Sequence, residues 1–141
     1  PLFRLIDESA KGVWGMGKRK VFYVSGKTSA DTREEIRAIT ETEKDAILVC
    51  SYGTFSTGIN IRNLHNIIFS SPSKSQIRIL QSIGRGLRKG DKKVVCNLFD
   101  IGDDLSWKSH KNYTLNHFKI RIQMYNEESF PYKIRNLKFK G

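Results

Sequence analysis

The chain's 141 residues suffice for one core of ordinary size. Its 38% hydrophobic residues fall in runs no longer than a strand, which excludes a membrane-spanning helix, and the charged apolar stretches near the start make no secretory signal. Lys+Arg 25 against Asp+Glu 14 gives a net charge of +11, an imbalance that suits a polyanion, nucleic acid first, better than solubility alone.

The chain opens on Pro1 without an initiator Met, as expected of a piece of something longer. "LFRLIDESAKG" has the pattern of a short amphipathic helix ending at Gly12. "KVFYV" (20–24) reads as a strand, and "SADTREEIRAITETE" (29–43) as a helix with Ser29 or Asp31 as N-cap and acids in its first turn. Two further strands follow, "AILVC" (46–50) and "NIIFS" (66–70). "KSQIRILQSIGRGLR" (74–88) is helical and "KVVCNLFDI" (93–101) a long strand. Strands alternating with helices predict βαβ units and a parallel sheet, with functional loops at the carboxyl ends of the strands. The composition changes after Asp104: "HKNYTLNHFKIRIQMYNEESF" predicts a long helix and "PYKIRNLKF" a terminal strand or extended tail. The expected division is therefore 1–104 and 105–141.

Three loops would leave the same edge of such a sheet: "SGKTS", "SYGTFSTGIN" and "SSPSKSQ". All are rich in Ser, Thr and Gly, which supply hydroxyls and approachable backbone N–H groups for phosphate oxygens, although loops favour these residues anyway. "SGKT" is not a Walker loop. That loop needs a glycine five residues before its Gly-Lys pair, and the position five before Gly26 is Val21, inside a strand.

Basic residues concentrate between Lys74 and Lys93, where seven face one acid, Asp91. At 100° per residue Gln81, Arg85 and Arg88 lie within about 60° of one another with Arg78 beside them, while Ile79, Leu80, Ile83 and Leu87 take the other side. Gly84 and Gly86 leave room for close approach. A Gln among guanidiniums suits an anion clamp better than a solvated face. Cys50 and Cys96 sit in apolar runs as small hydrophobes of a reducing compartment, and His65, His110 and His117 lack metal-ligand spacing, so no metal site is expected.

"QSIGRGLR" (81–88) resembles motif VI of the superfamily II helicases, "SYGTFSTGIN" (51–60) resembles motif V, and Gly26 followed by Arg33 resembles an earlier segment of the same family. With "LFDIGDD" and the tail "NHFKIRIQMYNEESFPYKI", the chain is similar to the C-terminal half of the UvsW-type phage DNA helicases, which act on branched DNA and R-loops. The resemblance implies an α/β, RecA-like parallel sheet flanked by helices, with a C-terminal helical extension packed on it. ATP and Mg²⁺ would be held mostly by an N-terminal RecA-like lobe of the same full-length chain. Arg85 and Arg88 would reach the β/γ-phosphates, one as the arginine finger, with Gln81 ordering the γ-phosphate region. Gly58, Asn60 and Gly84 would line the nucleotide. Ser25, Gly26, Lys27, Arg33, Ser51 and Thr57 would hold the DNA backbone. The cytoplasm of a bacterial or phage-infected cell is the implied location, and no membrane partner is expected.

Two departures qualify the likeness. Many members carry Asp where this chain has Asn60, which weakens the contact to the ribose. There is also no Walker loop, no D-E-x-[HD] motif and no strand before "LFRLIDESA", so the chain alone is expected to hydrolyse little or no ATP. An RNA helicase lobe and a nucleic-acid-binding module without ATPase activity remain alternatives. In the tail, Lys108, Lys111, Lys119 and Arg121 alternate with Tyr113, Phe118 and Tyr125, which fits either aromatic packing under solvated cations or a basic face extending the DNA path. Trp14 and Trp107 fit either base stacking or core edges.

Overall fold

The structure, a computed structural model, describes residues 2–10, 19–56, 61, 64–71, 80, 95–105, 108 and 112–137. Helix α1 (Leu2–Glu8) continues through a wider turn at Ser9 and Ala10, with Ala10 buried. Strand β1 (Lys20–Val24), helix α2 (Ala30–Thr42) and strand β2 (Ala46–Cys50) make one βαβ unit. β1 and β2 pair in parallel, from Lys20 opposite Ala46 to Val24 opposite Cys50. Parallel neighbours need a crossover, and α2 supplies it.

Local chemistry sets the bounds of α2. The Ser29 hydroxyl accepts a hydrogen bond from the Thr32 N–H at 3.2 Å, satisfying a donor that has no partner inside the helix. At the other end the Glu43 N–H donates to the Ile39 carbonyl at 3.0 Å, and the chain turns extended. Along the exposed face Arg37 donates to both Glu34 carboxylate oxygens, which holds that carboxyl below its ordinary range. Lys20 pairs with Glu43, tying the start of β1 to the end of the helix.

After β2 comes a single helical turn, α3 (Tyr52–Ser56), inside the segment expected to be loop. The Ser51 carbonyl accepts from the Phe55 N–H at 3.0 Å, and the Ser51 and Thr54 hydroxyls share a hydrogen bond of 2.7 Å. Those local bonds stabilise a turn too short for periodicity to reveal.

Strand β3 (Asn66–Phe69) pairs with β4 (Asn97–Asp100). The Asn97 N–H donates to the His65 carbonyl and the Ile101 N–H to that of Phe69, so both chains advance together and the pair is parallel. β4 is shorter than expected, since Val95 and Cys96 lie outside it. Helix α4 (Tyr113–Glu127) follows, capped by the Asn112 side chain, which accepts from the Leu115 N–H at 3.1 Å. Residues 131–137 join no strand, which leaves the extended-tail alternative for that part.

The chain divides into two compact units, Pro1–Ile67 with Arg78–Leu98, and Ile68–Ile77 with Phe99–Gly141. In the first, Val24 and Ile61 are buried, with Ile36, Leu48, Cys50, Phe55 and Leu64 packed around them. α1 adds Phe3, whose ring lies 5.3 Å from that of Tyr23. The second unit has a polar centre. There Arg121 of α4, 1% exposed, donates from Nε to Asp100 Oδ2 at 2.7 Å and from Nη2 to Oδ1 at 2.9 Å. The Tyr125 hydroxyl donates to the same Oδ2 at 2.6 Å. Burial and that bond push the Tyr125 hydroxyl well above its usual range. Arg121 is thus withdrawn from the solvent-facing basic row that the sequence suggested, because the carboxylate ending β4 claims it. Tyr113 does the reverse and is 70% exposed.

Candidate nucleic-acid interface

β1 ends at Val24 and β2 at Cys50, and these two residues are partners in the parallel register. Ser25 and Ser51, next along each strand, therefore start their loops side by side on one edge. The prediction that loops from successive strands gather there holds for this pair.

The segment "SGKT" forms a tight turn. The Thr28 N–H donates to the Ser25 carbonyl at 3.1 Å, the Ser25 N–H to Thr28 Oγ1 at 3.0 Å, and the Lys27 N–H to Ser25 Oγ at 3.3 Å. Ser at the first turn position suits this pattern, because its hydroxyl bonds the backbone two residues on. Gly26 is exposed at the tip. A Cβ there would meet nothing within 4 Å, and the backbone lies outside the left-handed region that favours glycine. Neither packing nor conformation within the turn requires glycine at this position. Lys27 is exposed and pairs with no carboxylate among the described residues.

Arg33, on the first turns of α2, reaches back under the same turn. Its Nη2 donates to the Ser25 and Gly26 carbonyls, each at 3.3 Å, and its Nε is buried without a partner. Ser51 is exposed, its hydroxyl shared with the buried Thr54. The structure thus brings Ser25, Gly26, Lys27, Arg33 and Ser51 into one unit. Gln81, Gly84, Arg85 and Arg88 lie outside the described residues, as do Thr57, Gly58 and Asn60, and Trp14 and Trp107 in the same way.

Burial pushes the Cys50 thiol up to about 11 and raises that of Cys96, as expected of packing cysteines. Among the described residues no group of three or more His, Cys, Asp or Glu could hold a metal ion, and no helix is long and apolar enough to cross a membrane. Sequence reasoning missed the buried set of Asp100, Arg121 and Tyr125. Only the lone acid ending "NLFD" hinted that a cation of the later helix had a partner.

Residues 5–90 match the family described as the helicase conserved C-terminal domain. Over 128 residues the chain is 39% identical to the ATP-dependent DNA helicase UvsW of Enterobacteria phage T4, an alignment taking in 84% of this chain and 26% of that helicase. The chain thus spans about a quarter of that relative's length. It is 30% identical over 95 residues, 67% of this chain and 17% of the relative, to an African swine fever virus protein provisionally named ATP-dependent RNA helicase QP509L. Among solved structures, the C-terminal part of the Fun30 ATPase domain matches with a TM-score of 0.54 at 17% identity, covering 88% of this chain and 43% of that one. That likeness shows the fold, a RecA-like arrangement of parallel strands flanked by helices. Since the family match runs from the opening helix through the arginine-rich segment and takes in more than half of the residues, the chain belongs to the helicase conserved C-terminal domain family.

Proposed function

We propose that the chain is the second motor lobe of an ATP-dependent DNA helicase or translocase acting on branched DNA or R-loops. The observation that carries this reading is the parallel register of β1 and β2, which sets Ser25 and Ser51 side by side on one edge of a family member. Hydroxyls, an open glycine and a lysine that pairs with no carboxylate among the described residues are suited to a DNA backbone, which they would hold without reading sequence. Ser25, Gly26, Lys27, Ser51 and Thr57 are the proposed strand contacts, the first three of them in a turn backed by Arg33. Binding of this kind is weakened by salt. The alignment with UvsW, named as a DNA helicase, supports DNA. The likeness to QP509L favours RNA as the second reading, so both polymers belong in the test.

Arg85 and Arg88, with Gln81, would meet the phosphates of ATP held between this lobe and an N-terminal RecA-like lobe, and Gly58, Asn60 and Gly84 would line the nucleotide. A positively charged finger of this type is worth about 10³–10⁵ in rate in related phosphoryl transfers. Mg²⁺ in this proposal belongs to the other lobe. Residues 1–104 would form the lobe and 105–141 an extension packed on it, working in the cytoplasm of a bacterial or phage-infected cell. The chain alone would hydrolyse little or no ATP.

The test is ATP hydrolysis by the full-length protein with forked DNA, single-stranded DNA or RNA, wild type beside Arg85→Ala and Arg88→Ala. Turnover that depends on DNA, and that either substitution lowers by at least about 10³-fold while binding survives, is the expected result. Hydrolysis kept by both variants would mean that the arginines serve nucleic acid alone. Stimulation by RNA but not DNA would move the assignment to the second reading.

A further inference from the structure

We infer that Arg33 is a positioning residue, one that sets the phosphate-facing side of the Ser25–Thr28 turn from behind and does not itself touch the strand. The inference rests on the strand-binding role proposed above and gives Arg33 a different task from the direct contact that the family resemblance implies.

The geometry is that of a clamp on two consecutive peptide groups. Arg33 Nη2 holds the carbonyls of Ser25 and Gly26, each at 3.3 Å. Among the described residues no peptide bond is cis, so each of these carbonyls points opposite the N–H of the residue that follows it. Drawing the two carbonyls toward Arg33 therefore turns the N–H groups of Gly26 and Lys27 to the other side. At Gly26 the space above the backbone is open to 4 Å. The Lys27 N–H there meets the Ser25 hydroxyl at 3.3 Å, so the Gly26 N–H, beside that hydroxyl, is the one turned toward an anion. The cation bonded behind the turn polarises the same peptide groups, which strengthens their N–H donors.

Arg33 is also poorly placed to reach outward. It is half-buried, its Nε is enclosed without a partner, and Nη2 is committed to the turn. No carboxylate pairs with it among the described residues, so its charge adds to the field at the turn without being cancelled. Lys27, at the exposed side, remains the group free to meet a phosphate oxygen directly.

Salt dependence separates the two roles, because a side chain that neutralises a phosphate releases counterions and one that orients backbone amides does not. The experiment is equilibrium binding of the full-length protein to a labelled single-stranded DNA over a salt series. Wild type, Lys27→Ala, Arg33→Ala and Arg33→Gln are compared, with the thermal unfolding of each. Lys27→Ala is expected to weaken binding and reduce the slope of log K against log salt by about 0.7. Arg33→Ala is expected to weaken binding about tenfold while keeping the wild-type slope. Arg33→Gln should recover much of that loss, since a neutral amide can still donate to a turn carbonyl. If Arg33→Ala does not fold, the Gln variant decides on slope alone. The inference is overturned if the Arg33 variants lower the slope as Lys27→Ala does, or if they fold and bind as wild type. A Lys27→Ala variant indistinguishable from wild type overturns the strand-binding role itself.

Discussion

Arg121 illustrates how one side chain can be read correctly by type and wrongly by place. In the sequence it is one cation among several along a helix, and helical spacing alone cannot say which of them finds a buried acid. In the structure it holds Asp100 with two hydrogen bonds, has its Cζ 5.5 Å from the centre of the Phe118 ring, and leaves Nη1 buried without a partner. A buried pair costs much desolvation, so its net worth is modest, but removing one partner strands the other. Arg121→Met should therefore destabilise the fold by about 3–5 kcal/mol, read from guanidinium unfolding. Adding Asp100→Asn to the same chain should return part of that loss. Tyr125→Phe, which removes one bond to a charged acceptor, should cost about 1.5–3 kcal/mol. Gly102 belongs to the same neighbourhood: a Cβ there would lie 2.7 Å from the Phe118 ring, so here packing does demand glycine.

The elements themselves were legible wherever periodicity and end signals agreed. β1 and β2 stand at the predicted residues, and Ser29 caps α2 as one of its two candidates. α3 was not legible, since a turn held by Ser51 and Thr54 has no apolar repeat to betray it. The end of α4 was hidden for another reason. Ser129 adopts φ 55°, its N–H donates to the Asn126 carbonyl, and the Phe130 N–H donates to that of Tyr125. This is the Schellman arrangement, in which glycine is the usual residue at the left-handed position. A serine there gives the sequence reader no stop signal. Ser129→Gly should relieve the strain and stabilise the protein by about 0.5–1 kcal/mol, visible as a higher unfolding midpoint in denaturant.

At the scale of the whole molecule, the order of motifs along the chain carried the family, while the geometry of the Ser25–Thr28 turn did not show in the sequence. "SGKT" can be recognised as a loop, but only the fold reveals that Arg33 sits behind it. Charge suggested a class of partner through a surplus of +11, which says nothing about which cations are buried or already engaged. Titration follows from the packing as a whole. Burial raises the Cys50 and Cys96 thiols and the Tyr125 hydroxyl together. The unfolded chain gives up thiol protons from about pH 9 and the tyrosine proton from about pH 10, while the folded chain keeps them. Stability should hold below pH 9 and fall steadily above it. Thermal midpoints measured from pH 7 to 11 should show this fall, and Cys50→Ala should flatten it between pH 9 and 11.

Those two suppressed thiols have a practical side. Burial raises both thiols and so favours their protonated form, which is a poor nucleophile. One new cysteine placed on the exposed Lys27 position would therefore outcompete them for maleimide dyes or crosslinkers without a cysteine-free background. A reporter on that open loop edge would test whether a nucleic-acid strand arrives there.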